Sequence, residues 1–337
     1  MRQWFKDINV NWLGLTKYFL VGSLIMFAVG LFSVYRAGGP LMGIDFKGGT
    51  AVYVRFQQAP DLDKIRTGLH SQGLADASIQ TIHDINSPGT HEAMISIAQQ
   101  GREEEALDQG RAAIVAALRS VFGGETGFEI RNVEVVGPKV GAQLQTQALL
   151  ATAWALAGML LYVAFRFEWI YGAAAVMAVF HDVIITVGFL TMFGYEISLT
   201  VVAALLTLVG YSMNDTIVIF DRIRENLRLM RRESLETIAN VSINQTLSRT
   251  FLTSGLTFLT VLVLFLLGGE VLRAFSFALV VGVVIGSYST VGIAAAIVVA
   301  WDKWKGQKGP GSPVSSSTPD KGRKSSEPER QLAAAGR

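Results

Sequence analysis

Hydrophobic positions along this chain fall into two regimes. Long, predominantly apolar runs occur at Tyr18–Tyr35, Leu144–Phe165, Ile170–Phe193, Ile197–Phe220, Gln245–Leu267 and Arg273–Ala300. A run of roughly 18 residues or more crosses a hydrocarbon core of about 30 Å, so the pattern predicts six membrane spans. Between Gly38 and Ala142 the apolar residues instead recur at short periods. Thr50–Phe56 alternates and is β-branched, which reads as a strand. Asp61 is placed to cap a helix carrying Leu62, Ile65 and Leu69, with Gly73 ending it. Ala77–Ile85 and Ala93–Ala98 alternate on either side of the turn signal Asn86–Thr90. Glu103–Phe122 is helical in period and Phe128–Val136 is a last strand. The predicted order βαββαβ is that of a ferredoxin-like split unit. The fold class expected is therefore an α-helical polytopic membrane protein of six spans with one inserted α+β domain.

The chain divides accordingly into residues 1–17, a first span at 18–37, the βαββαβ domain at 38–142, spans two to six at 143–301 and a tail at 302–337. The first span is taken as retained, because its apolar stretch is longer than a signal-peptide core and no small-residue cleavage pattern follows it. Half of the 337 residues are hydrophobic, 17% are charged and mean hydropathy is +0.39, so much apolar surface must face something other than water. Basic residues gather before span one, at Arg166, at Arg222–Arg232 within a cytoplasmic segment near 221–244, and at Lys303–Lys308. The turns Gly194–Glu196 and Gly268–Glu270 carry none. The positive-inside rule then places both termini in the cytoplasm and the domain outside it. The tail is rich in Ser, Pro, Lys and Gly and is expected to be disordered.

Candidate chemistry is concentrated in spans three to five. The inserted domain has nine basic and thirteen acidic residues, a balance of 9 − 13 = −4, and scattered His70, His83 and His91. With no cysteine in the chain and no nucleophile–base spacing, an enzymatic role is not expected. No resident cofactor and no nucleic acid partner are expected either. Ionisable groups at membrane depth cost on the order of 2.5–3.5 kcal/mol or more each, so a retained one needs a partner or a role. In span four, Thr207, Tyr211 and Asp215 are four residues apart, with Asn214 beside them. In span five, Gln245, Arg249, Thr253, Thr257 and Thr260 make a second polar stripe. Asp215 and Arg249 fall at similar depth on consecutive antiparallel helices, which suggests an ion pair that either fastens the helices or handles protons. His181 and Asp182, mid-way along span three, are a proton relay or a satisfied polar couple. Ala278, Gly282, Gly286, Thr290 and Ala294 give span six a small-residue packing face. Glu233–Leu247 reads as an amphipathic stretch lying along the cytoplasmic surface.

At these residues the chain resembles the SecF family of the bacterial protein-export machinery. The resemblance is carried by Gly43–Thr50 (GIDFKGGT), Val136–Gly141, Phe180–Val183, Gly210–Thr216 with Val218–Asn226, and Asn244–Thr250 with Thr253-Ser254. It implies a multi-pass protein of the bacterial cytoplasmic membrane with the resistance-nodulation-division fold. It also implies a SecD-like partner, association with the SecYEG channel, and action on exported preproteins within the lipid bilayer. By the same resemblance Asp215 and Arg249 are the proton-coupling residues, protons being the coupling ion. The readings that compete are half of a proton-coupled exporter of small molecules or lipids, and a structural scaffold. Gly48-Gly49 is either a simple bend or a fixed junction that passes helix motion to the domain.

Overall fold

The computed structural model describes residues 9–75, 77–82, 91–98, 105–122, 124, 127–166, 169–269 and 271–308. Six helical stretches among them are long and apolar enough to cross a membrane: Leu13–Arg36, Pro138–Val163, Trp169–Met192, Leu199–Leu229, Leu235–Leu267 and Arg273–Lys305. The elements are α1 (Thr16–Arg36), a one-turn α2 (Ile44–Lys47), β1 (Gly49–Phe56), α3 (Leu62–Ser71), β2 (Ser78–Ile82), β3 (His91–Ala98), α4 (Glu105–Phe122) and β4 (Phe128–Val136). The bundle continues with α5 (Pro138–Arg166), α6 (Trp169–Met192), α7 (Leu199–Leu229), α8 (Leu235–Leu267) and α9 (Arg273–Ser289). A π turn (Thr290–Ala294) joins α9 to α10 (Ala295–Lys308).

The inserted domain is βαββαβ, with its antiparallel sheet in the order β2-β3-β1-β4. Strand alternation sorts its two faces. Val52, Val54 and Phe56 of β1 and Ala93, Ile95 and Ile97 of β3 pack on Ile65, Leu69, Ile114 and Leu118 of the two helices. Asp61 caps α3 by accepting from the amides of Asp63 and Lys64. The turn expected at Asn86–Thr90 and the histidine at 83 lie outside the described residues.

The opposite sheet face is partly covered. Ala51 and Ser96 are buried there, because this face sits on the ends of the spans. Four contacts fasten it. Met42 and Ile197 form a parallel bridge, flanked by the Ile197 amide on the Leu41 carbonyl (2.6 Å) and the Gly43 amide on the Ile197 carbonyl (3.0 Å). Asp45 Oδ2 accepts from the Leu199 amide (2.8 Å) in the first turn of α7. Ser96 Oγ donates to Glu196 (3.1 Å). Phe46 is buried among Leu190, Ile197 and Val201. Gly48 sits at φ +72 with Pro138 Cα within 2.8 Å of where a Cβ would stand. Only glycine takes that backbone and that space without strain. The GIDFKGG segment is thus more than a bend: it is the joint between domain and bundle.

Within the bundle, small residues admit close helix approach as expected. Gly30 of α1 and Gly188 of α6 touch backbone to backbone, Gly282 faces Leu208, and Gly286 faces Ser212 and Asp182.

Two expectations are corrected. Glu233–Leu247 is not a separate surface helix, since α8 runs unbroken from Leu235 to Leu267 with Ser234 as its cap. No Gly or Pro interrupts it at the boundary. One buried stripe, Ile238, Ser242, Thr246, Thr250 and Ser254, also continues across it, so the same packing face holds the helix on both sides. At 33 residues α8 is about 50 Å long and projects beyond the membrane core. The second correction concerns Asp302–Lys308, assigned to the tail, which is helical and belongs to α10. Lys303 reaches Glu236 of α8 (2.7 Å). Residues 309–337, the rest of the expected disordered tail, lie outside the described residues.

A candidate proton-handling layer in the bundle

Two buried carboxylates occupy the middle of the bundle, and their surroundings differ sharply. Along α6, apolar Ala178 and Val179 give way to Asp182 and Thr186 before Leu190 resumes the core. Asp182 is 0% exposed. Its Oδ1 meets His181 Nδ1 at 2.9 Å, and its Oδ2 accepts from Ser212 of α7 (2.6 Å) and Ser289 of α9 (2.8 Å). His181 Nε2 meets the hydroxyls of Ser23 of α1 and Tyr288 of α9. In the tautomer with the proton on Nδ1, that nitrogen donates to Asp182 and Nε2 accepts from the two hydroxyls. One carboxylate and one imidazole therefore tie together four helices, α1, α6, α7 and α9. Beside them the hydroxyls of Thr216 and Thr290 are 3.2 Å apart. Ser289 and Thr290 stand at the entry to the π turn. Such turns widen a helix by one residue and often mark functional positions.

Asp215 lies a turn further along α7 and is 3% exposed. Its Oδ2 accepts one side-chain hydrogen bond, from Ser254 of α8 at 3.0 Å. The expected ion pair is not formed: no bridge links Asp215 and Arg249 in this structure, and Arg249 is exposed. Helix phase gives the reason. Five residues separate Arg249 from Ser254, which places them about 140° apart around α8. The packed face belongs to Ser254, and Arg249 turns away.

The remaining predicted positions divide in the same way. Tyr211 is half-buried; among the described residues neither its hydroxyl nor Thr250 Oγ1 makes a well-formed hydrogen bond, although Ser254, Ser287 and Thr257 stand beside the Tyr211 hydroxyl. Asn214 is exposed. Gln245 joins neither carboxylate: its Oε1 accepts from Arg222 (2.6 Å) and Asn226 (2.8 Å), locking the C-terminal part of α7 to the N-terminal part of α8. Asn226 also donates to Ser242 (2.8 Å). Thr253 spends its hydroxyl on the carbonyls of Arg249 and Thr250. Asp221 pairs with Arg166 (2.8 Å) and Arg222 with Glu225 (2.6 Å). The structure adds Ser23, Ser212, Ser254, Tyr288 and Ser289. Hydroxyls carry no charge and disturb hydropathy little, and only Ser212 with Thr216 and Ser254 with Thr250 show a spacing by four.

Asn240 and Asn244 of α8 hold the chain ahead of α1. The side chain of Asn240 accepts from the Trp12 amide (2.8 Å), while Asn244 accepts from Trp12 Nε1 (3.1 Å) and donates to the Val10 carbonyl (2.9 Å). Among the described residues, no group of three His, Asp or Glu side chains is placed to hold a metal ion.

Comparison with known proteins places this geometry. A family model described as protein export membrane protein SecD/SecF, C-terminal, matches residues 116–304. The chain is 44% identical to the protein translocase subunit SecF of Koribacter versatilis, covering 90% of this chain and 95% of that one. It is 43% identical to the same subunit of Calditerrivibrio nitroreducens, over 87% and 94% of the two chains. Among solved structures it is similar to SecDF, a translocon-associated membrane protein from Thermus thermophilus. The TM-score is 0.77 and the identity 37%, over 89% of this chain and 40% of that one. A structure of SecDF in a super-membrane-facing form matches with a TM-score of 0.65. The chain therefore spans about two fifths of the length of the solved relatives.

Proposed function

Because the chain belongs to the SecD/SecF family of protein-export membrane proteins, we propose that it drives preprotein export with the proton-motive force, as an auxiliary subunit beside a SecD-like partner and the SecYEG channel. An auxiliary role in Sec translocation follows from the family. The proton step is our reading of the site, and one observation carries it. Of two buried carboxylates, Asp182 is saturated by three side chains on three helices, whereas a single hydroxyl on α8 holds Asp215. A saturated carboxylate serves as a fastening. A sparsely held one is free to exchange a proton at small structural cost.

Protonation of Asp215 removes the charge to which Ser254 donates, with Arg249 acting on that charge only at longer range, so α7 and α8 part at that level. The outer end of α7 is bound to the domain through Ile197 and Leu199, and the displacement passes through Asp45 and Gly48 into the sheet. One charge moved across the membrane supplies about 2.3 kcal/mol per 100 mV, enough to break one or two such hydrogen bonds. Arg249 and Asn214 are exposed at membrane depth, where lipid is an unfavourable neighbour. A SecD-like bundle covering the α7–α8 face relieves that cost. On this reading both termini are cytoplasmic and the domain faces the emerging polypeptide.

The test is export into vesicles with and without a proton gradient, using Asp215→Asn and Arg249→Met variants that assemble normally. Both are expected to lose the gradient-dependent part of export. Wild-type rates in either would refute the mechanism, and wild-type rates in the double variant would leave only a scaffold.

A further inference from the structure

Hydrogen bonding along α8 is lopsided. At its start, from Leu235 to Gln245, the helix is tied to three other segments. Glu236 meets Lys303 of α10, Ser242 accepts from Asn226 of α7, and Gln245 accepts from Arg222 and Asn226. Asn240 and Asn244, one turn apart, grip the chain ahead of α1 with six hydrogen bonds. Asn240 Oδ1 accepts from the amides of Trp12 (2.8 Å) and Leu13 (3.4 Å), and Asn244 Oδ1 from the Val10 amide (3.2 Å) and Trp12 Nε1 (3.1 Å). The two side-chain nitrogens donate to the Val10 carbonyl, at 3.1 and 2.9 Å. Nearer the domain the pattern changes. Thr253, Thr257 and Thr260 spend their hydroxyls on carbonyls of α8 itself, and Ser254 makes the bond across to Asp215. Leu256, Leu259 and Val263 are exposed there.

The gripped segment is itself fixed. Trp12 and Leu13 pack against the core of the bundle. The Trp12 ring stacks on Phe19 (6.4 Å) and Phe19 on Tyr288 (6.5 Å), whose hydroxyl meets His181. Phe19 fills the space in front of Gly292 in the π turn, its ring 2.5 Å from where a Cβ would stand. The clasp therefore joins the start of α8 to the part of the bundle that Asp182 fastens. Its six bonds are between neutral groups, whereas the bond at Asp215 draws its strength from a charge that protonation removes.

We propose that α8 is a lever that pivots on the Asn240–Asn244 clasp, with the segment ahead of α1 as its fixed bearing. The inference rests on the reading that α7 and α8 part when Asp215 takes a proton, and it names where the moving helix stays held. Ser254 lies ten residues beyond Asn244, about 15 Å along the axis, and Leu267 twenty-three residues beyond it, about 35 Å. A parting of about 1 Å at Ser254 becomes about 2 Å at the domain end of the helix. There Phe265 shares one cavity wall with Ile79 and Thr81 of β2. The lever thus reaches the sheet by a second route, beside the one through α7. Asn240 and Asn244 are positioning residues: they touch no carboxylate and act by holding the helix that carries Ser254.

The chain has no cysteine, so introduced pairs can be bridged by a short bis-maleimide. The full chain, with a cysteine-free partner in vesicles, is assayed for export with and without a proton gradient, before and after bridging. Asn9→Cys with Thr237→Cys bridges the clasp, and Gly210→Cys with Thr257→Cys bridges α7 to α8 on the domain side of Asp215. Bridging the clasp is expected to leave gradient-dependent export intact, while bridging α7 to α8 lowers export to the rate without a gradient. Loss on bridging the clasp overturns the pivot and leaves the proton reading standing. Export that survives the α7–α8 bridge means that the helices do not part, and the proton reading then fails together with the lever. Asn240→Ala/Asn244→Ala adds a readout that a purely structural role would not give. Its gradient-dependent export is expected to fall and to return when positions 9 and 237 are bridged. A loss that the bridge does not restore overturns the role given to the two asparagines.

Discussion

Replacing Asp182 by alanine tests the difference between the two carboxylates most directly. The substitution removes the acceptor for His181 Nδ1, Ser212 Oγ and Ser289 Oγ at once, at a position that is 0% exposed. A buried donor left without an acceptor costs about 1–3 kcal/mol. The three share one partner and relax together, so the sum is less than additive, and a total loss of about 3–5 kcal/mol is expected. Asp182→Asn keeps the shape and one acceptor oxygen, and it should lose only about 1–2 kcal/mol. The assay is reversible unfolding of the purified chain in mixed micelles, with Asp215→Asn as the comparison. One hydroxyl is at stake there, so a loss of about 1 kcal/mol or less is expected. The order Asp182→Ala, then Asp182→Asn, then Asp215→Asn in destabilisation is the prediction. If Asp182→Ala unfolds within about 1 kcal/mol of wild type, the four-helix fastening is wrong. The assignment of Asp215 as the exchanging group would then lose its contrast.

Two further predictions concern the joint. Asp45→Ala leaves the Leu199 amide of the first turn of α7 without its acceptor while Ser198 still caps the helix through the Val201 amide, and it should cost about 0.5–1.5 kcal/mol while reducing gradient-dependent export more than gradient-independent export. Equal loss of both would mean that the joint supports the fold without transmitting motion. Burial raises the Glu134 carboxyl above its ordinary value of 4.5, with the charge of Asp45 adding to the effect and the Tyr53 hydroxyl opposing it. A group that holds its proton more tightly when folded stabilises below its ordinary value and loses that contribution as pH rises through the folded one. Melting curves across pH should therefore show wild type losing stability relative to Glu134→Gln as pH climbs from about 4.5. A constant difference over that range would refute it.

The amino-acid sequence alone determined those features that depend on local pattern. Six spans follow from six apolar runs, because crossing a bilayer is a matter of length and hydropathy in a single segment. The βαββαβ order follows from period-two and period-3.6 alternation, and the sheet order β2-β3-β1-β4 is the one that split unit adopts. The number of residues between Asp215, Arg249, His181 or Asp182 and the end of its span is also legible.

Which side chain meets which was decided only by the tertiary structure. A helix's rotation about its axis is set by all the neighbours it packs against, and a shift of one residue turns a side chain by about 100°. Arg249 thus makes no bridge to Asp215, and Ser254 takes the place expected for it. The continuity of α8 through Leu247, the π turn at Thr290–Ala294 and the role of Asp45 as acceptor for an amide 154 residues away all depend on contacts between distant segments. No local period records those contacts.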